Sequence, residues 1–347
     1  MTKPSFWRLL YIGSAVPSPE KLLIAEIRRM ASAARSRMRP KSRAGGMGIG
    51  DDCAVLRFPG PFSRKLDTLV TTDFSLEGIH FRREWHAPES VGHRCLARGL
   101  SDIAAMGGDP VAAFLSLAVP AELPQVWIRR FLTGLLALGK KYGITLSGGD
   151  TAESPDGILA DIVVVGSVPR GKTLLRSGAR PGDRIYVSGE LGGSAAAVQE
   201  MMNHPKRKLS PRNYSRHFFP EPRIRLGRVL RERGIASAMI DVSDGLSTDL
   251  AHICEESGVG AEVEGEAIPR AGVGKAWQQV SLELALHGGE DYELLFTAPG
   301  AKRVPSHIGG VQLTEIGEIK RGGKIFLRNA SGSRVEFKPR GWEHFRR

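Results

Sequence analysis

A chain of 347 residues is too long for one ordinary hydrophobic core, so two domains are the default expectation. Its 41% hydrophobic and 25% charged residues are the mixture of a globular protein, and no apolar run approaches the roughly 18 residues of a membrane span. Lys and Arg exceed Asp and Glu by 49 − 37 = 12, a basic balance that suits polyanionic ligands but does not say whether they are large or small.

From the N-terminus, Glu20–Ala34 carries Leu22, Leu23, Ile24, Ile27 and Met30 at the spacing of an amphipathic helix, and the basic Ser36–Gly46 reads as a loop. Gly48-Ile49-Gly50-Asp51-Asp52-Cys53 turns sharply before the apolar Ala54-Val55-Leu56. Leu66–Thr72 is β-rich and ends in Asp73. Pro88–Gly107 reads as a helix, with Pro in its first turn, Val91, Cys95, Ile103 and Met106 on one side, and Gly107-Gly108 at its stop. A strand at Ala112–Val119, a helix at Gln125–Tyr142, a strand at Ile144–Ser147, a turn at Gly148-Gly149-Asp150 and a strand at Ile158–Val168 follow.

Pro169–Asp183, dense in Gly, Pro and Arg, reads as a linker. The pattern then restarts. A strand at Arg184–Ser188, a helix at Ser194–Met202, a basic insertion at His204–Arg216, a helix at Glu221–Arg233 and a strand at Ala238–Ile240 lead to the turn Asp241–Gly245. A helix at Leu246–Ser257 comes next, and Gly288-Gly289-Glu290-Asp291 opens a strand at Tyr292–Thr297. The division expected is a segment at 1–47 attached to the first domain, an α/β domain at 48–170 and a second at 171–347, facing a shared cleft.

The acidic turns carry the chemistry. Adjacent Asp51 and Asp52 repel each other, and Mg2+ is a common partner for such a pair in a Gly-rich turn, although a solvated turn is the plain alternative. Thr71-Thr72-Asp73 offers hard oxygen ligands. Asp102 sits one turn after Arg98, which a surface ion pair also explains. Asp150 closes the double-glycine turn, and Asp241 and Asp244 bracket Ser243 where an N-cap would serve. Together these acids exceed what capping requires, and Mg2+ with a nucleoside triphosphate is the simplest ligand that needs them all. Gly166–Thr173 fits the phosphate-loop pattern G-x-x-x-x-G-K-[ST], but Gly178 and Pro181 leave no room for the helix such a loop must open.

Cys53, Cys95 and Cys254 are odd in number and far apart, which argues against disulfides and zinc and for a reducing compartment; the cytoplasm is the expected location. The basic excess gathers in Arg35–Arg43 and Lys206–Arg216, and no zinc-finger or RNA-recognition motif accompanies it.

Eight ordered blocks then give a specific resemblance: GIGDDCAVL at 48–56, TTDFSLEGIHF at 71–81, LSDIAAMGGDP at 100–110, SGGDTA at 147–152, LLRSGARPGD at 174–183, DVSDGLSTDL at 241–250, HGGEDYELLFT at 287–297 and GWEHF at 341–345. The chain resembles the thiamine-monophosphate kinase family, of the superfamily that includes aminoimidazole ribonucleotide synthetase and selenophosphate synthetase. That resemblance implies an α/β fold with mixed sheets, of the two-domain aminoimidazole ribonucleotide synthetase-like kind, with ATP in the inter-domain cleft and a homodimer formed through the N-terminal domains. It implies Mg2+-dependent phosphorylation of thiamine monophosphate by ATP, through direct in-line transfer. By motif, Asp52, Thr71, Thr72, Asp73, Asp102, Asp150, Asp241 and Asp244 would be metal ligands. Tyr142, Gly149, Asp150, Arg176 and Ser243 would contact ATP, and His80, Glu290 and Trp342 the substrate, with Glu290 opposing the thiazolium charge. Asp73 and Arg176 would carry the catalytic work. Two rivals stand beside this reading: another ATP-dependent enzyme of the superfamily, and a basic nucleic-acid-binding protein that keeps the fold without the chemistry.

Overall fold

Buried and outward-facing side chains alternate along Leu66–Leu76 and Leu159–Pro169, and the two segments pair antiparallel at the centre of a six-stranded sheet. A computed structural model describes residues 20–36, 45–58 and 65–342. The basic stretch 37–44, the apolar Phe6–Val16 and the last three residues of the GWEHF block lie outside the described residues. Helix α1 (Glu20–Ser36) forms a unit separate from Ala44–Trp342, with Leu22, Ile24, Ile27 and Met30 exposed on it.

The first sheet contains β1 (Gly45–Met47), β2 (Ala54–Arg57), β3 (Leu66–Leu76), β4 (Asp109–Val119), β5 (Thr145–Glu153) and β6 (Leu159–Pro169), in the order β1-β2-β3-β6-β4-β5. Only the β4–β5 pair is parallel. Two expectations are corrected here. Asp73 lies inside β3 rather than at its end, because the alternation continues through Ser75. The expected Gly148-Gly149-Asp150 turn is instead the middle of β5. Gly149 (φ +153°) is what makes this possible, since a Cβ there would lie 1.8 Å from the Leu115 carbonyl oxygen.

Helix α2 (Pro88–Ala105) packs on β3, β6 and β4, and helix α3 (Gln125–Tyr142) packs on α2 and β5. Only Glu89 and Asp102 of α2 escape full burial, so the expected one-sided apolar stripe is too modest. The reason is a second set of neighbours from the C-terminal half.

That half contains β7 (Arg184–Ser188), α4 (Gly193–Asn203), α5 (Ser215–Phe218), α6 (Ile224–Glu232), β8 (Ala238–Asp241), α7 (Leu246–Ser257) and β9 (Gly260–Glu264). A hairpin of β10 (Gly272–Val273) and β11 (Gln278–Gln279), helix α8 (Leu282–His287) and β12 (Leu294–Ala298) follow. The closing strands are β13 (His307–Ile308), β14 (Val311–Lys320), β15 (Ile325–Arg328) and β16 (Arg334–Glu336). The second sheet runs β16-β15-β9-β14-β7-β12-β8, with β13 on β14 and only β15–β9 parallel. Both sheets are therefore mixed.

α2 also packs against α5, α6 and β8. Gly227 of α6 approaches so closely that a Cβ would lie 2.0 Å from the Ala104 carbonyl oxygen. One apolar cluster accordingly runs from Leu100 and Ile103 of α2 into Leu226, Met239 and Phe296. The buried helix between the two sheets positions the site.

Candidate active site

Three carboxylates reach one point from three separate segments. Asp52 comes from the glycine-rich loop before β2, Asp102 from the last turn of α2, and Asp241 from the end of β8. One oxygen of each lies within 4.8 Å of the others. Like charges this close raise each other's proton affinity, and burial adds to it. Burial first, then Asp52, pushes Asp241 up to about 8. Burial, followed by Asp73, Asp241 and Asp52, holds Asp102 well above the usual carboxylate range. Burial likewise raises Asp52 against the pull of Arg176.

The neighbours fix these carboxylates without using all their oxygens. The Arg176 guanidinium donates to Asp52 Oδ1 at 2.7 and 3.3 Å, and Asp52 Oδ2 is buried with no hydrogen-bond partner. The Arg176 amide donates to Asp51 Oδ1 at 2.8 Å, and burial pushes Asp51 up to about 7. Thr71 Oγ1 donates to Asp102 Oδ2, and Ser101 Oγ donates to Asp241 Oδ2 at 2.6 Å. Asp73 faces the same side of β3 as Thr71; burial brings it up to about 6, against the opposing charge of Arg98. Hard oxygens, mutual repulsion and an orphaned buried acceptor make this donor set fit a divalent cation such as Mg2+.

A second group surrounds the turn after β8. The Glu290 amide donates to the Ser243 carbonyl at 2.7 Å, and the Trp342 amide donates to the Asp244 carbonyl at 3.0 Å. Glu290 and Trp342 are therefore both anchored through their backbone to the turn Asp241–Gly245, which carries Ser243 and Asp244. The Trp342 indole is not core: the residue is 53% exposed. His80 Nδ1 accepts from the Leu76 amide at 2.9 Å, which leaves the proton on Nε2.

Other expected site residues are not part of the three-acid group. Thr72 follows Thr71 on a strand, so its side chain takes the opposite face and donates to Asp161 Oδ1 at 2.6 Å rather than joining the acids. Asp150 is exposed on β5 and accepts from the Thr151 amide at 2.8 Å. Tyr142 ends α3 and donates to the Pro222 carbonyl at 2.8 Å. Gly149 neighbours Asp150 on the same edge strand. The surface pair weighed for Arg98 and Asp102 is absent, because each side chain turns to another partner.

Those partners include residues that sequence reading misses. Arg94 Nη2 donates to Glu290 Oε2 at 2.7 Å and Arg98 Nη2 to Glu290 Oε1. Burial alone would raise Glu290, but the two guanidinium groups outweigh it and hold the carboxyl well below the usual range. His217 Nδ1 lies 2.9 Å from Ser194 Oγ, and its Nε2 lies 2.9 Å from His86 Nε2. Burial depresses both histidines, His86 to about 4. The four-residue spacing of Arg94, Arg98 and Asp102 is the signal that marks one helix face. Nothing local marks the histidine pair. Gly166–Thr173 ends β6 and enters a turn, with Lys172 exposed and no helix after it.

Residues 50–168 match the family described as AIR synthase related protein, N-terminal domain, and residues 180–328 the corresponding C-terminal domain. The chain is similar to the thiamine-monophosphate kinase of Salmonella typhimurium (strain LT2), 40% identical over 309 residues that cover 86% of this chain and 91% of that protein. A solved structure described as AaThiL complexed with AMPPCP and TMP superposes with a TM-score of 0.78 and 31% identity, covering 96% of this chain and 99% of the other. The thiamine monophosphate kinase of Aquifex aeolicus gives a TM-score of 0.71 at 31% identity, over 90% of this chain and 97% of the other.

Proposed function

Because the chain belongs to the thiamine-monophosphate kinase family, we propose that it transfers the γ-phosphoryl group of ATP to thiamine monophosphate, giving thiamine diphosphate and ADP. The observation that carries this reading is the meeting of Asp52, Asp102 and Asp241, with one buried oxygen unpartnered, in a chain of that family. The acceptor phosphate is already largely ionised near neutrality, because its second pKa is ~6. It attacks the γ-phosphorus directly, the bond to the β-phosphate oxygen breaks, and no phosphoenzyme forms.

The nucleophile needs no general base, so the protein's task is to position two anions that repel each other. Asp52, Asp102 and Asp241, with Asp73 and Asp244, would hold Mg2+, which supplies positive charge to the phosphate oxygens when bound. Thr71 and Ser101 orient two of these carboxylates, and Arg176 adds a fixed guanidinium beside Asp52. Tyr142, Gly149, Asp150 and Ser243 are assigned to ATP, His80 and Trp342 to thiamine monophosphate, and Glu290 to the same substrate through the arginines it binds. Of Thr72, only the backbone is left for the metal.

The proposed domains are 48–170, to which the 1–47 segment adds strand β1, and 171–347, with the nucleotide between them. Pairing of two copies through the first sheet is supported by its outer face, where Phe74 and Phe114 are 54% and 38% exposed. Three free, buried cysteines fit a cytoplasmic location, and among the described residues no helix is long and apolar enough to cross a membrane. Purified protein given ATP, Mg2+ and thiamine monophosphate should form thiamine diphosphate and ADP in equal amounts. ATP hydrolysis with no thiamine diphosphate would favour another acceptor of the superfamily.

A further inference from the structure

Arg94, Arg98 and Asp102 recur every four residues, so they line one face of α2 in steps of about 6 Å. Asp102 lies at the metal end of this face. The two arginine side chains are 3% and 9% exposed, and both reach the carboxylate of Glu290. Two buried guanidinium groups take up both oxygens of this carboxylate, and Asp73 is a further negative charge near Arg98. Glu290 therefore has no spare charge with which to oppose a thiazolium ring.

Arg98 is also incompletely used. Its Nη1 donates to the carbonyl of Phe74 at 3.2 Å, one residue beyond Asp73, and its Nε–H is buried without a partner. A buried donor left unpaired is costly unless a ligand takes it. The turn that carries Glu290 is strained as well: Glu290 and Tyr292 have φ of +65° and +51°, a conformation that non-glycine residues keep only when the surroundings enforce it. The strained turn delivers a carboxylate that fixes Arg98 close to Asp73.

We propose that Glu290 is a positioning residue for Arg98, and that Arg98 receives the phosphate monoester of the acceptor through its charge and its unpartnered Nε–H. The inference rests on the kinase reading and assigns the anionic end of the substrate to α2.

The test is calorimetric binding of thiamine monophosphate and of unphosphorylated thiamine, with Mg2+ and AMPPCP present and no turnover. Arg98→Gln should weaken thiamine monophosphate by ~10- to 100-fold, the range of a charge-assisted hydrogen bond, and thiamine less than about threefold. Glu290→Gln should show the same selectivity, and the double variant should be no weaker than Arg98→Gln alone. Equal weakening of both ligands by Glu290→Gln, or losses that multiply in the double variant, would overturn the proposal. If Arg98→Gln fails to fold, the double variant removes both charges, and Arg98→Lys keeps the charge without the Nε–H; unchanged thiamine monophosphate affinity in Arg98→Lys would also overturn it. Failure of wild-type protein to make thiamine diphosphate would instead remove the kinase reading on which the inference stands.

Discussion

Ser101 of α2 donates a 2.6 Å hydrogen bond to Asp241, a residue 140 positions later at the end of β8. This bond ties the first half of the chain to the second at the acidic cluster and satisfies one oxygen of a buried carboxylate. Ser101→Ala should cost about 1–3 kcal/mol of stability, because the oxygen loses its donor. It should also weaken Mg2+ binding about tenfold, the usual effect of losing a group that orients a ligand. A Mg2+ titration followed by melting temperature measures both, and an unchanged titration would remove Ser101 from the site.

Lys172 and Arg176 separate the two ways of reading the phosphate contacts. Lys172 is exposed in a turn, whereas Arg176 lies on Asp52 and also holds Asp51 through its amide. Arg176→Ala should raise the KM for ATP by at least about tenfold, and Lys172→Ala should change turnover by less than that. The reverse ranking would restore the phosphate-loop motif.

The acids predict a dependence of stability on pH. Burial holds Asp51 and Asp291 at about 7 and Asp241 at about 8, all above the ordinary carboxylate value. The folded, metal-free chain therefore binds more protons than the unfolded chain, and it loses stability as pH rises toward 8. His86, His93 and His217 are depressed, so they act in the opposite sense only below their ordinary value of 6.5. Between pH 6.5 and 8 in EDTA the melting temperature should fall. Mg2+ should raise it by at least about 2 °C more at pH 8 than at pH 6.5, since a cation displaces the shared protons. An equal Mg2+ shift at both pH values would contradict the metal assignment.

Trp342 presents an exposed indole whose backbone is pinned to Asp244. An indole face attracts a cation such as thiazolium by roughly 0.5–2 kcal/mol. Trp342→Ala should raise the KM for thiamine monophosphate about tenfold and leave the KM for ATP nearly unchanged. Equal changes for both substrates would assign the residue to general packing.

Much of this is legible in the sequence where local pattern carries it. The glycine-rich turn before Asp52 and the turn at Asp241–Gly245 mark acids that need special backbone, with Gly50 and Gly245 at positive φ. Alternation along Leu66–Leu76 separates Thr71 from Thr72 once the strand is known to continue. The Arg94–Glu290 contact spans 196 positions, and no local pattern encodes it. The closing strands β13–β16 also escape the reading: β13, β15 and β16 span only two to four residues, and the ten-residue β14 loses its alternation at a bulge between Glu315 and Gly317. α2 shows why composition misleads: two arginines suggest a solvated face, yet both are buried because a second half of the chain covers them.

In the proposed reaction the γ-phosphoryl group passes directly from ATP to thiamine monophosphate over the cluster of Asp52, Asp102 and Asp241. The most direct test supplies ATP labelled in its γ-phosphate, with Mg2+ and thiamine monophosphate, and locates the label by mass spectrometry. Direct transfer puts the label in the terminal phosphate of thiamine diphosphate, one per ADP formed, with none on the protein. Label appearing only in inorganic phosphate, or retained on the protein, would contradict it.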